Sequence, residues 1–333
     1  MRILFLVLAG LSLAACSGST GPRDAGSTAS GGSSGGDAGL PPGTTEYSVS
    51  VNGLPVQAGT QVVYCTYVHL GNPQPINVIG FTSTQALGGH HVIVVANKTD
   101  QPDKAPWICD QGEAINPQNG SMIYVSQIDN DSQLFPPGVG MNLPANASLM
   151  VQIHYIDATP NDLTINSTIN VLAGGPNSVT IQAAPLLFYD ESLTVPQGTS
   201  SSTSQCIMPQ GPEMNFFMMA GHMHSHGTDF TLQFQDLDGG TFPLYQTSYW
   251  DSPPEKWFAP ALKVQAGTTF TWTCDYDNID GGTIDSPDEM CATLGIYYPA
   301  PGGSLSCFYV GPDTGTGGAC PCIYGNQDGG LGL

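Results

Sequence analysis

The chain predicts an all-β fold built from sandwiches of short strands. Three observations carry that expectation. Glycine (42) and proline (27) are frequent, and both interrupt helices. Apolar or alternating stretches of strand length recur along the chain. Turn residues stand between them, as Gly71-Asn72-Pro73, Pro136-Pro137-Gly138, Gly174-Gly175-Pro176 and Pro196-Gln197-Gly198. Many short strands with such punctuation read as β-sandwich architecture.

Each stretch has its own justification. Residues 61–69 are rich in Val, Tyr and Thr, which fit a pleated surface. Residues 91–96 follow a histidine with an unbroken run of Val, Ile and Ala. Residues 148–155 interrupt an apolar run with Gln152 and His154, which share one face. Residues 178–187 predict one strand. Residues 229–235 and 268–274 alternate strictly, with Phe230, Leu232 and Phe234 in one and Phe270, Trp272 and Cys274 in the other. Residues 292–298 close the series with Leu, Ile and two Tyr. No internal repeat is visible.

The ends of the chain read as address and tether. Residues 1–15 carry Arg2 and a short apolar run that closes on Leu13-Ala14-Ala15-Cys16. The run is too short for a membrane-spanning helix. Small residues before a cysteine resemble a bacterial lipobox, which implies cleavage before Cys16 and its lipidation. An ordinary secretory signal cut elsewhere is the alternative. Ser17 follows, with no aspartate, which by resemblance to sorted lipoproteins implies the outer membrane. Residues 16–44 then form a Gly/Ser-rich linker, unable to bury enough surface to offset ordering entropy. Residues 313–333 make a Gly-rich tail.

The charge balance narrows the partners. Six basic residues against 27 acidic ones give a net charge of -21. That argues against nucleic acid or an anionic membrane surface, leaving the lipid as the membrane contact. Nine cysteines are present, and setting Cys16 aside leaves eight, an even number in an exported chain. Disulfides are expected there. Eight cysteines allow roughly a hundred connectivities, and the sequence does not choose among them.

Histidine placement carries the chemistry. The chain has seven histidines, and five fall into His90-His91, His154 and His222-Met223-His224. His222 and His224 lie two apart, so on a strand they share a face at about 7 Å. They can converge on one ion, though a solvated edge strand carries such pairs too. His226 lies about 13 Å from His222 by the same rise and is expected outside that sphere. His90 and His91 face opposite ways on an ideal strand. Both can reach one metal only at a bulge or strand end, which Gly88-Gly89 permits. A lone His154 in an apolar strand is equally a core residue, with Gln152 on its face to orient it. Met290, in Asp288-Glu289-Met290-Cys291, is by itself ordinary core filler. Imidazoles with a soft thioether suit copper better than zinc, magnesium or calcium. The acidic stretch from Asp275 to Gly282 lacks calcium-loop spacing and reads as a solvated turn.

In order, these pieces resemble the copper type II, ascorbate-dependent monooxygenases. These are the relatives of peptidylglycine α-hydroxylating and dopamine β-monooxygenases. The resemblance rests on His90-His91, Gln152-x-His154-Tyr155, His222-x-His224 and Met290-Cys291 with Tyr297-Tyr298 downstream. Residues 136–140 (Pro-Pro-Gly-Val-Gly) and Val195-Pro196-Gln197-Gly198 ahead of Cys206 add to it. It spans Tyr64 to Tyr309.

The resemblance implies two jelly-roll-like β-sandwich domains packed side by side, residues 45–185 and 186–312. Each would hold one copper, facing a solvent cleft. His90, His91 and His154 match the electron-transfer copper. His222, His224 and Met290 match the catalytic, oxygen-binding copper. Cys65–Cys109, Cys206–Cys307 and Cys274–Cys291 look like family disulfides, leaving Cys320–Cys322. The implied activity is hydroxylation of a C–H bond of a small substrate with O2 and a reductant such as ascorbate. Ala220, Ala292 and Leu294 stand where peptide-hydroxylating relatives carry polar substrate contacts. A different, more apolar substrate is therefore expected. A non-catalytic copper-binding surface lipoprotein is the alternative on the same scaffold.

Overall fold

Alternation and turn chemistry generate 23 strands among the described residues. The structure is a computed structural model describing residues 40–116, 118–311 and 320–325. The signal segment 1–15, Cys16, most of the linker and most of the tail lie outside them. The first strands are β1 (Thr45–Val56), β2 (Gln61–His69), β3 (Ile76–Gln85), β4 (Gly89–Asn97), β5 (Lys104–Ile108) and β6 (Gly120–Ser126). They continue with β7 (Asn130–Leu134), β8 (Gly138–Leu143), β9 (Ser148–Ile156), β10 (Leu163–Gly174) and β11 (Val179–Gln182). Next come β12 (Ala184–Asp190), β13 (Thr194–Val195), β14 (Gly198–Ile207), β15 (Met214–His222), β16 (Gly227–Gln235) and β17 (Thr241–Thr247). The last are β18 (Lys256–Val264), β19 (Thr269–Asn278), β20 (Ile284–Asp285), β21 (Ala292–Tyr298), β22 (Leu305–Tyr309) and β23 (Cys322–Tyr324).

The fold is all-β, and its strands divide at Ala183. One sheet runs β1-β10-β3-β8-β11, with β7 also on β3, and a second runs β5-β2-β9-β4-β6. Past Ala183, one sheet runs β18-β15-β21-β12-β22-β23 and another β14-β19-β16-β17. The stretch 178–187, expected as one strand, is therefore two. β11 pairs parallel with β8, whereas β12 inserts between β21 and β22.

Three apolar clusters explain the continuous runs in the sequence. Val92, Val94, Val151 and Ile153 face Phe81, Ile165 and Ile169 across the first pair of sheets. Phe188, Phe216 and Leu305 face Phe230, Phe270 and Trp272 across the second. The alternate residues of the same strands form a third cluster, where Ile93, Val95 and Met150 meet Leu187, Tyr189 and Ala292. β4, β9 and β12 are thus covered on both faces, and so are apolar at successive positions. Burying their side chains contributes about 25 cal/mol per Å² of apolar surface removed from water. The third cluster places β4 and β9 against β12 and β21.

Four disulfides join the described cysteines. Cys65–Cys109 and Cys274–Cys291 are the pairs the resemblance implies. The other two differ. Cys206 bonds Cys320 rather than Cys307, and Cys307 bonds Cys322 rather than leaving a Cys320–Cys322 ring. The reason is strand pairing. β23 lies antiparallel on β22 with Cys322 opposite Cys307, which directs Cys320 to Cys206 on β14. Disulfides in such number belong to an oxidising, extracytoplasmic compartment. Among the described residues, no helix is long and apolar enough to cross a membrane.

Candidate metal centre

The register of β4 against β9 builds the first part of the site. Gly89 pairs with Tyr155 and His91 with His154, so the register shifts at His90, which is the extra residue of a bulge. Gly88, at φ +87, supplies the left-handed turn into the strand. The bulge turns His90 to the same side as His91, and both rings meet His154. Ring centroids lie 5.3 Å apart for His90–His91, 5.2 Å for His90–His154 and 5.0 Å for His91–His154.

The end of β15 brings the second part. His222 pairs with Ala292 of β21, and His224 follows beyond the strand end. Gly221 has no room for a side chain, because a Cβ would stand 2.4 Å from the Phe230 ring. The His222 and His224 rings lie 5.1 Å apart.

The two parts are one cluster. His90 lies 5.1 Å from His222 and 5.3 Å from His224, and His154 lies 5.3 Å from His224. Two separate centres across water were expected; the packing of β4 and β9 against β12 and β21, with β15 paired to β21, brings the five rings together instead. Ligand nitrogens of His90, His91 and His154 lie within 4.8 Å of one another, and so do those of His90, His222 and His224. His90 belongs to both triads. Trp250 closes over it at 5.9 Å.

Burial sets the protonation of the cluster. All five histidines are buried, His154 completely. Desolvation, with the neighbouring imidazoles adding to it, holds His90, His154 and His222 well below the ordinary histidine range. Burial lowers His91 to about 3. Burial also lowers His224, opposed by Glu289 and the Asp288 carbonyl. The rings are neutral at physiological pH, each with one lone pair available.

Hydrogen bonds decide which nitrogen offers that lone pair. His154 Nε2 donates to Gln61 Oε1 at 2.9 Å, leaving Nδ1 without a partner. His224 Nδ1 donates to the Asp288 carbonyl at 2.9 Å, leaving Nε2 without one. His222 Nδ1 donates to Gln127 Oε1, while Gln127 Nε2 donates to the Gly221 carbonyl at 3.0 Å. The Asp251 backbone approaches His90 and the Gln152 amide approaches His91. Neither contact reaches hydrogen-bond geometry, and both nitrogens of each ring stay unpartnered. Buried imidazole nitrogens left in this state fit a metal ion, and they supply more than enough donors for one.

Gln152 does not orient His154, as was expected. Its Nε2 donates to the carbonyls of Asp110 and Gln111, and Gln61, across the strand pair, takes the orienting role. Gln61 and Gln127 carry no sequence signal, because only pairing and loop packing bring them to the rings. Glu289 was also missed. Its buried carboxylate accepts from the backbone N–H groups of His224, His226 and Met290. It thereby pins the turn after β15 to Met290. His226 lies outside the cluster, against Asp280 and Glu289.

Met290 lines a small pocket together with His91 and His222. Ala292 and Leu294, expected near substrate, line it as well, whereas Ala220 is buried opposite Leu294 in the strand register.

No family model matches the chain, and no curated protein matches it. Among solved structures, the triple jelly-roll protein of an archaeal virus turret assembly aligns over 77% of this chain at 12% identity and a TM-score of 0.25. The chain spans 56% of that protein. The VP2 subviral particle of infectious bursal disease virus aligns over 86% of this chain and 73% of its own, at 10% identity and a TM-score of 0.19. Likenesses this weak carry no argument about this chain.

Proposed function

We propose that this protein is a copper-dependent monooxygenase. It hydroxylates a C–H bond of a small substrate, using O2 and an external one-electron reductant of the ascorbate class. The observation that carries this reading is five neutral, buried imidazoles converging beside an apolar pocket that has Met290 in its wall. Imidazole with thioether, and no carboxylate among the converging ligands, favours copper over magnesium or calcium. His90, His91 and His154 would hold an electron-transfer copper, and His222, His224 and Met290 an oxygen-binding copper that His90 also reaches. The sheets on either side of Ala183 would be two jelly-roll-like domains, one for each ion.

When bound, copper supplies the one-electron redox chemistry and the activation of O2. The balance is one C–H bond, one O2, two electrons and two protons in; one alcohol and one water out. The chain's own residues do the rest. Gln61, Gln127 and the Asp288 carbonyl hold three rings in one tautomer, with lone pairs toward the cluster. Glu289 fixes the His224 turn to the Met290 segment. Leu187, Ala292 and Leu294 give the pocket an apolar wall.

The alternative is copper storage or delivery without turnover, favoured by the burial of all five rings. Protein loaded with copper and dialysed should retain about two ions per chain, as expected of this donor set. Ascorbate-supported O2 consumption stimulated by a substrate separates enzyme from store. Retention of zinc in place of copper would refute both. We place the protein on the outer membrane, anchored through lipid on Cys16. Alkyne-fatty-acid labelling that survives Cys16→Ser would exclude this anchor.

A further inference from the structure

The pocket beside the histidines has no charged side chain in its lining. Ile93, Ile115 and Met122 form one wall, and Leu187, Ala292 and Leu294 the other. Two amides interrupt this surface, Gln111 and Gln152. Gln152 is completely buried, and its Nε2 donates at 3.1 Å to the Asp110 carbonyl and 3.3 Å to the Gln111 carbonyl. Those acceptors fix its orientation, since a flipped amide would set its oxygen against two carbonyl oxygens. Its Oε1 faces the His91 ring short of hydrogen-bond geometry and has no hydrogen-bond partner, and neither has the buried Oε1 of Gln111. Native structures seldom leave two buried acceptors unmatched in one place.

We infer that the pocket takes a small, uncharged, largely apolar molecule bearing an O–H or N–H donor, received by the Gln152 and Gln111 oxygens. A carboxylate meets no cation in the lining and an ammonium no carboxylate, so desolvation rejects either ion. His91, His222 and Met290 line the same pocket, so the apolar body lies against the proposed copper ligands. That this molecule is a substrate rests on the monooxygenase reading; its binding preference does not.

The test is calorimetric titration of the full chain, metal-free and copper-loaded, with cyclohexanol, cyclohexyl methyl ether and cyclohexanecarboxylate. The alcohol is expected to bind about tenfold tighter than the ether, the worth of a satisfied buried acceptor. The carboxylate is expected not to saturate. Gln152→Leu should bring the alcohol down to the ether's affinity. Gln111→Leu, in the short 3-10 turn Gln111–Glu113, carries the same test if the first variant does not fold. Equal affinities for alcohol and ether, tighter binding of the carboxylate, or no saturable binding would overturn the inference. Copper content measured on the same samples keeps the two readings apart. Lost copper uptake with the alcohol preference intact removes only the enzyme.

Discussion

The His90 ring stacks on that of His222, with centroids 5.1 Å apart and planes 30° from each other. One ring comes from a bulge in β4 and the other from the end of β15. The contact makes His90 a member of both nitrogen triads.

That sharing predicts unequal effects of two substitutions. His154→Ala breaks one triad and should remove about one copper ion per chain, whereas His90→Ala weakens both and should remove more. Metal analysis after gel filtration checks this. Equal copper content in the two variants would show that His90 serves one ion alone.

Met290 shares the pocket lining with His91 and His222. Met290→Ala should lower ascorbate-supported turnover by on the order of 100-fold or more, since even partners behind the ligands are worth 10–100-fold. The imidazole-bound copper should stay. X-ray absorption of the Cu(I) protein should lose its sulfur scatterer. A sulfur signal unchanged in the variant would remove Met290 as a ligand.

Glu289 holds three backbone N–H groups while wholly buried. Glu289→Ala strands those donors and should cost about 3 kcal/mol or more, at 1–3 kcal/mol for a buried unsatisfied group. Glu289→Gln keeps one acceptor oxygen and should recover part of it. Urea unfolding of the metal-free variants measures both. A loss under about 0.5 kcal/mol in the alanine variant, the range of ordinary surface substitutions, would deny Glu289 this role.

Glu255 predicts a pH dependence away from the histidines. Burial, with Asp131 nearby adding to it, pushes its carboxyl up to about 8, while Gln133 and Trp257 donate to it. Below the ordinary value of 4.5 both folded and unfolded chains carry the proton. Between 4.5 and about 8 only the folded chain keeps it, so stability falls as pH rises through that window. One proton gives at most about 1.4 kcal/mol per pH unit. Near pH 6.5 the histidines of the unfolded chain add a slope of opposite sign, so the contribution of Glu255 with Asp131 is read as the difference between native and variant chains. In metal-free unfolding curves, Glu255→Gln should lack the downward contribution that the native chain shows on approaching pH 8. An equal slope in the variant would assign the proton elsewhere.

Much of the fold was legible because strand periodicity is local. The run 61–69 coincides with β2 and 292–298 with β21. The bulge at His90 was legible from Gly88-Gly89, since two adjacent rings cannot otherwise turn to one side. The break at Ala183 was not, because nothing local distinguishes a strand that changes sheets from one that continues. Pairs such as Cys206–Cys320 were illegible for a related reason: β23 must first dock on β22.

The order of residues alone determined that the chain would be all-β and which side chains would share a strand face. It also determined which imidazoles were candidates for a metal. Alternation is a property of consecutive peptide units and needs no distant contact. Tertiary structure decided that both histidine groups meet in one buried cluster, with Gln61, Gln127 and the Asp288 carbonyl holding three of the rings. Those relations depend on the packing of Ile93, Val95 and Met150 against Leu187, Tyr189 and Ala292. Apolar burial is non-directional, so it draws these faces together without any motif in the sequence to announce it.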